Sequence, residues 1–182
     1  DTDRSRGLGD VYKRQFMKKG IIFDLDQTLV DSNIAKSYRS ARNWNMVYSL
    51  IPKFVLYETY DKVFEFIRDN DLKVGIVSKA PSTYVRKVLN HFNIPFDTVV
   101  AYHDVKLQKP NSEGMNLALT QLGLSAEDVI SFGDEVSDVI ASNGAGIESV
   151  ACLWGSANEE SLLRSDADHV IHTPNEIISL LK

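Results

Sequence analysis

The chain has 182 residues, of which 43% are hydrophobic and 25% charged, a composition that suits one ordinary globular domain. This composition excludes collagen-like, disordered and transmembrane chains, and the single cysteine, Cys152, excludes an internal disulfide or a zinc site built from cysteines. With 25 acidic against 20 basic residues the net charge is −5, which argues against a broad nucleic-acid-binding surface.

The first fifteen residues, DTDRSRGLGDVYKRQ, differ in character from the rest of the chain. They combine charged residues with glycines and lack both a periodic apolar pattern and the apolar core of a secretory signal. The stretch resembles a translated adapter sequence. We therefore expect residues 1–16 to be a non-native or disordered extension, the natural chain to begin at Met17, and the protein to be cytoplasmic.

From residue 18 onward, short apolar runs alternate with longer amphipathic ones. The short runs predict strands at residues 20–23, 72–77, 98–102, 129–132, 148–153 and 169–171. The amphipathic runs predict helices at about residues 59–70, 82–92, 111–123, 135–144 and 174–182. Because the strands are almost wholly apolar and alternate with helices, we predict an α/β fold: a doubly wound, Rossmann-like parallel sheet with helices on both faces.

Residues 31–57 interrupt this alternation, since they separate the first strand from the first covering helix. They predict one or two short helices, with Pro52 interrupting the second. The strongly apolar part, residues 46–57, is either a small lid over the edge of the sheet or an ordinary insert that packs on the core. An exposed apolar surface here would allow a homodimer.

Polar residues stand where the predicted strands end, and in open α/β sheets ligands bind at those ends. The residues concerned are Asp24, Asp26, Ser78, Lys109, Asp134 and Asp138. Asp24 and Asp26 are two residues apart and can point to the same side of the chain. Asp134 and Asp138 are four residues apart and share a helix face.

Four converging carboxylates would repel one another unless a cation lay between them. Ligation by oxygen alone is typical of a hard ion such as Mg²⁺. A hydroxyl (Ser78) and a fixed cation (Lys109) at neighbouring strand ends are suited to hold the oxygens of a phosphoryl group. The combination predicts phosphoryl transfer, with one carboxylate as the candidate nucleophile.

The segments DLDQT, an apolar run ending in Ser78, Lys109-Pro110 and GDEVSD resemble, in this order, the four motifs of the haloacid dehalogenase superfamily. Residues 18–182 are most similar to its phosphoglycolate-phosphatase-like group. The resemblance implies that Asp24 attacks phosphorus to form an aspartyl-phosphate, and that Asp26 acts as general acid and then as general base. It further implies that Ser78 and Lys109 bind the phosphate. A Mg²⁺ ion would be held by Asp24, by the backbone carbonyl of Asp26 and by Asp134, and Asp138 would bind the ion directly or orient its waters.

The chain departs from the family pattern in two places, of which only the first bears on function. The stretch between Asp24 and Ser78 is short for relatives that carry a helical cap domain there, so we expect residues 17–182 to form one domain with residues 31–57 as a minimal cap. Gln27 replaces a glycine that is frequent in the family, and Thr28 is expected to support the loop that carries Asp24 and Asp26. Dehalogenation needs neither a second aspartate nor a metal, and phosphatase chemistry is therefore favoured.

The resulting hypothesis is a Mg²⁺-dependent phosphomonoester hydrolase that acts on a small phosphorylated metabolite, without a nucleic-acid or membrane partner. Three alternatives stay open. A phosphotransferase or phosphomutase is disfavoured because a short insert excludes water poorly. A phosphatase for nucleic-acid ends is disfavoured by the acidic charge, and a catalytically silent regulatory module by the complete set of motif residues.

Overall fold

The computed structural model describes residues 17–182, so the expectations for residues 1–16 lie outside the described part of the chain. In chain order, the strands are β1 (Gly20–Phe23), β2 (Val30–Asp31), β3 (Val55–Leu56), β4 (Lys73–Val77), β5 (Thr98–Val100), β6 (Val129–Gly133), β7 (Glu148–Cys152) and β8 (His169–Ile171). The helices are α1 (Lys36–Ser40), α2 (Trp44–Leu50), α3 (Tyr60–Asp69), α4 (Ser82–His91), α5 (Glu113–Leu122), α6 (Val136–Gly144), α7 (Glu159–Leu163) and α8 (Ile177–Leu181).

Six strands form one parallel sheet in the order β5-β4-β1-β6-β7-β8. The central strand β1 pairs with β4 on one side and β6 on the other, and Ile21 lies opposite both Val74 and Ile130. After β1, the chain adds β4 and then β5 on one side of β1. It then crosses to the other side of β1 and adds β6, β7 and β8. The order therefore reverses beside β1, which places the switch point of the sheet where Asp24 and Asp26 follow that strand.

Helices cover both faces of the sheet. Successive residues of β1 point to opposite faces, and so they contribute to two different cores. Ile21 and Phe23 belong to a core shared with α3, α4 and α8, whereas Ile22 belongs to a second core shared with α5 and α6. The predicted doubly wound α/β fold is thus confirmed. None of the helices formed by residues 17–182 combines the length and the apolar character that a membrane crossing needs.

Residues 31–57 form the two short helices α1 and α2, followed by a 3-10 turn. Helix α2 ends at Leu50, before Pro52, so the proline follows the second helix and does not interrupt it. The sequence did not predict the two-residue antiparallel ribbon of β2 and β3, nor the five-residue helix α7, which is too short to show a period. In the insert, Val47 is buried in the main core, whereas Val55 is 60% exposed.

Candidate active site

The carboxyl ends of β1, β4 and β6 meet at one edge of the sheet and bring the predicted residues together. At the centre, the buried Lys109 ammonium group lies 2.8 Å from Asp24 Oδ1 and 2.6 Å from Asp138 Oδ1. It also donates to the carbonyl oxygen of Val77 at 2.9 Å. A lysine ammonium has three protons to donate, and these three acceptors account for all of them.

Three carboxylates lie close together in this site. One oxygen each of Asp24, Asp134 and Asp138 lies within 4.8 Å of the others. Burial raises the pKa of Asp24 to about 7 although Lys109 opposes the shift. Burial, together with the charges of Asp24 and Asp138, raises the pKa of Asp134 to about 9. When ionised, these three carboxylates carry more negative charge than the one Lys109 ammonium neutralises, and their oxygen donors fit a hard divalent cation.

Thr28 connects the loop after β1 to the metal-binding candidate Asp134. Its hydroxyl donates to Asp134 Oδ1 at 3.0 Å, and both side chains are buried. The backbone carbonyl of Thr28 accepts hydrogen bonds from the Tyr60 hydroxyl at 2.9 Å and the indole nitrogen of Trp154 at 3.0 Å. The expected supporting role of Thr28 therefore has a direct structural counterpart.

Gln27 adopts a left-handed backbone conformation with φ of 66°, which costs a non-glycine residue roughly 1–2 kcal/mol. Its side chain holds the turn in place: Oε1 accepts a hydrogen bond from the Ser32 backbone at 2.9 Å, and Nε2 donates to the Tyr57 hydroxyl at 3.2 Å. These contacts explain how glutamine occupies a position that suits glycine.

Asp26 is held by residues that the sequence analysis did not single out. Its Oδ1 atom accepts hydrogen bonds from the hydroxyls of Ser32 and Tyr84, each at 2.5 Å, and Arg39 Nη1 lies at 3.2 Å. Burial and then the Asp26 charge raise the pKa of Tyr84 well above its usual range, so that its hydroxyl stays protonated and donates. Ordinary helix residues such as Tyr84 and Arg39 carry no sequence signal for such a role.

A cavity of about 710 Å³ opens above this arrangement. Asp24, Asp26 and Ser78 line it, together with Arg39 and Trp44 of the insert. The Ser78 hydroxyl oxygen accepts a hydrogen bond from the backbone of Ala80 at 3.1 Å, and its proton has no acceptor among residues 17–182. His103, which is exposed, also lines this cavity.

Comparison with known proteins points to one family. A family model described as haloacid dehalogenase-like hydrolase matches residues 37–152. The chain is 25% identical to pyrophosphatase PpaX of Bacillus pumilus over 69% of its own length and 59% of the relative's. It is 29% identical to phosphoglycolate phosphatase of Salmonella typhimurium over 60% of its length and 44% of the relative's. The chain thus spans about three fifths, or less, of the length of these curated relatives.

Solved structures share the fold. A structure from Lactobacillus plantarum superimposes with a TM-score of 0.79 at 17% identity, covering 90% of this chain and 99% of that one. CbbY from Rhodobacter sphaeroides, solved in complex with phosphate, gives a TM-score of 0.75 at 17% identity and covers 86% and 95% of the two chains. At these identities the likeness concerns the fold alone.

Proposed function

The chain belongs to the haloacid dehalogenase-like hydrolase family, and we propose that it is a Mg²⁺-dependent phosphomonoester hydrolase that acts through an aspartyl-phosphate on Asp24. The observation that carries this proposal is the environment of Asp24, which lines the cavity beside Ser78 while the buried Lys109 holds its Oδ1 atom. The names of the relatives, a pyrophosphatase and a phosphoglycolate phosphatase, support phosphate chemistry. A cavity of about 710 Å³ is consistent with a small phosphorylated substrate.

The metal assignment rests on the carboxylate cluster. Asp24, Asp134 and Asp138 offer oxygens that lie within 4.8 Å of one another, and the proposed ligands are these three side chains and the backbone carbonyl of Asp26. When bound, Mg²⁺ would neutralise the charge that develops on the phosphoryl oxygens. The pKa of Asp134 is raised to about 9, first by burial and then by the charges of Asp24 and Asp138. This supports the assignment, because a bound cation would offset both effects.

In the first half-reaction, Asp24 forms a bond to phosphorus as the bond between phosphorus and the ester oxygen breaks. The departing oxygen takes the electron pair of that bond and receives a proton from Asp26. Lys109 keeps the Asp24 carboxylate oriented, because its other contacts, with Asp138 and Val77, fix the ammonium group in place. The Ser78 hydroxyl is free to donate to a phosphoryl oxygen.

In the second half-reaction, a water molecule gives a proton to Asp26 and its oxygen attacks phosphorus. The bond between phosphorus and Asp24 then breaks, which regenerates the carboxylate and releases inorganic phosphate. The same side chain, Asp26, thus donates a proton in one step and accepts one in the next.

The test is phosphate release from p-nitrophenyl phosphate, alkyl phosphates and pyrophosphate, with Mg²⁺ and with EDTA. We expect release that depends on Mg²⁺, is lost in EDTA and returns when the metal is restored. Asp24→Asn should lower turnover by about three orders of magnitude or more, because it removes the nucleophile. Asp69→Asn, a change of the same kind at an exposed residue of α3, should leave the rate unchanged.

Each result bears on a separate part of the proposal. Activity that persists in EDTA would exclude the metal role, and activity that persists in Asp24→Asn would exclude Asp24 as the nucleophile. Transfer of phosphate to an added alcohol in preference to water would indicate a phosphotransferase. Preference for pyrophosphate would replace phosphomonoesters as the substrate class.

A further inference from the structure

Asp26 is held through one of its two carboxylate oxygens. Three contacts converge on Oδ1, from Ser32, Tyr84 and Arg39. Among residues 17–182, no side chain or backbone group donates to Oδ2. The two oxygens of this carboxylate therefore have different surroundings, although the residue as a whole lines the cavity together with Asp24.

Tyr84 and Arg39 come from different parts of the fold and form one small network around Oδ1. Tyr84 is fully buried on α4, and its ring lies 5.9 Å from that of Trp44 and 6.4 Å from that of Phe54. Arg39 comes from α1, in the insert. Its Nη1 atom donates to the Tyr84 hydroxyl at 3.2 Å and to the Ser32 carbonyl at 3.1 Å.

Each contact restricts Asp26 in a different way. The Tyr84 ring is packed on several sides, so its hydroxyl has a fixed position from which it donates. The Arg39 guanidinium lies over the Tyr84 ring, with its central carbon 5.8 Å from the ring centre, and adds a positive charge on the same side. Together they fix the rotation of the Asp26 carboxylate, which a single hydrogen bond would leave free to turn.

We propose that Tyr84 and Arg39 are positioning residues that hold Asp26 by Oδ1 and direct Oδ2 to the leaving group of the substrate. This inference rests on the proposed function, because it assumes that Asp26 is the general acid. As the bond between phosphorus and the ester oxygen breaks, the proton on Oδ2 passes to that oxygen. The Tyr84 hydroxyl keeps its own proton throughout and acts only through Asp26.

The loss of a positioned general acid can be distinguished from a loss of packing by its effect on kcat/KM for esters with different leaving groups. An alkoxide leaves poorly without a proton, whereas p-nitrophenolate leaves well without one. The ratio kcat/KM reports the steps up to formation of the aspartyl-phosphate, in which Asp26 is needed as an acid. A misplaced Asp26 should therefore lower kcat/KM for an alkyl phosphate much more than for p-nitrophenyl phosphate.

The experiment compares kcat/KM for glycerol 2-phosphate and p-nitrophenyl phosphate in the wild type, Tyr84→Phe and Arg39→Gln. We expect each variant to lose about 10- to 100-fold on glycerol 2-phosphate and less than about 3-fold on p-nitrophenyl phosphate. Tyr48→Phe removes a hydroxyl from a neighbouring half-buried ring, and Lys36→Gln removes an exposed charge from α1. Neither residue forms a hydrogen bond or an ion pair with the Asp26 side chain, and both controls should match the wild type on both esters.

Four outcomes would contradict the expectation, and they can be distinguished. Equal losses on the two esters would overturn the positioning role and indicate a purely structural one. The same conclusion would follow if thermal unfolding showed that Tyr84→Phe does not fold and if Arg39→Gln, which folds, had no ester-dependent loss. Unchanged rates on both esters would also overturn it. A wild type that hydrolyses neither ester, nor any other phosphate compound, would overturn the proposed function itself.

Discussion

Lys109 and Asp138 form an ion pair with the nitrogen 2.6 Å from the carboxylate oxygen, and their side chains are only 2% and 5% exposed. Lys109 lies in the loop between β5 and α5, whereas Asp138 lies in the first turn of α6. Because two buried charges are costly unless they are paired, this contact binds the loop of Lys109 to the start of α6 and fixes the base of the site.

Removal of the lysine charge should therefore destabilise the protein. Lys109→Met leaves Asp24, Asp138 and the carbonyl oxygen of Val77 without their donor, and we expect the free energy of unfolding to fall by about 3–5 kcal/mol. Urea denaturation measures this loss. Lys73→Met breaks an exposed ion pair with Asp97 at 3.8 Å and should cost at most about 1 kcal/mol. Similar losses in the two variants would contradict the role of Lys109.

Gly155 should be required for the geometry of the loop that carries Asp24 and Asp26. A Cβ atom at this position would lie 1.8 Å from the carbonyl oxygen of Gln27, a backbone atom that cannot move without displacing the loop. We expect Gly155→Ala to lower the proposed phosphatase activity at least about 10-fold and the free energy of unfolding by about 1–3 kcal/mol. Activity assays and thermal unfolding would measure the two effects.

Gly123→Ala is the matched control for this prediction. Gly123 has φ of 67°, but no atom lies within 4 Å of the place that a Cβ atom would take, so alanine there should cost about 1 kcal/mol through backbone strain alone. Because the residue follows α5, away from the site, the activity of this variant should equal that of the wild type. Full activity in Gly155→Ala would show that the loop carrying Asp24 and Asp26 tolerates displacement of the Gln27 carbonyl, and it would contradict the prediction.

Stability should also depend on pH through Glu148, at the opposite end of the sheet from the site. Partial burial alone would raise the pKa of Glu148, but Lys18, at 2.6 Å, and His169 outweigh it, so the pKa lies below the ordinary value of 4.5. For a carboxyl with a lowered pKa in the folded state, the stabilising contribution is present above pH 4.5 and is lost as pH falls through the folded value.

Glu148→Gln should therefore be less stable than the wild type near neutral pH, and the difference should shrink as pH falls below 4.5. Urea unfolding across this range measures the difference at each pH. Glu65→Gln, at an exposed position on α3, should show no such dependence. A stability difference that does not change with pH would contradict the assignment.

Much of the fold could be predicted from local pattern. Strand β1 was predicted with its observed bounds, and β4 and β6 to within one residue, because buried parallel strands are short, apolar and bounded by turn residues. The insert was harder. Its ribbon of two-residue strands, β2 and β3, pairs Val30 with Leu56 across a long stretch of sequence, and two residues are too few to show a period.

The candidate site divides in the same way. Sequence motifs alone identified the candidate residues, because polar residues at the ends of apolar strands differ from their surroundings. These residues are Asp24, Asp26, Ser78, Lys109, Asp134 and Asp138. Their proposed roles as nucleophile, acid, metal ligands and phosphate ligands stay predictions until the variants are measured. The structure adds the contacts among them, above all the position of Lys109 between two carboxylates.

The sequence by itself determined the fold class and the residues at the strand ends, since both depend on the order of apolar and polar residues along the chain. Only the tertiary structure decided what surrounds Asp26. Tyr84 and Arg39 are distant from it in the chain, on an α4 face and an insert helix that look ordinary in sequence. Their contact with Asp26 exists because the insert packs against α4, and long-range packing of this kind leaves no local pattern to detect.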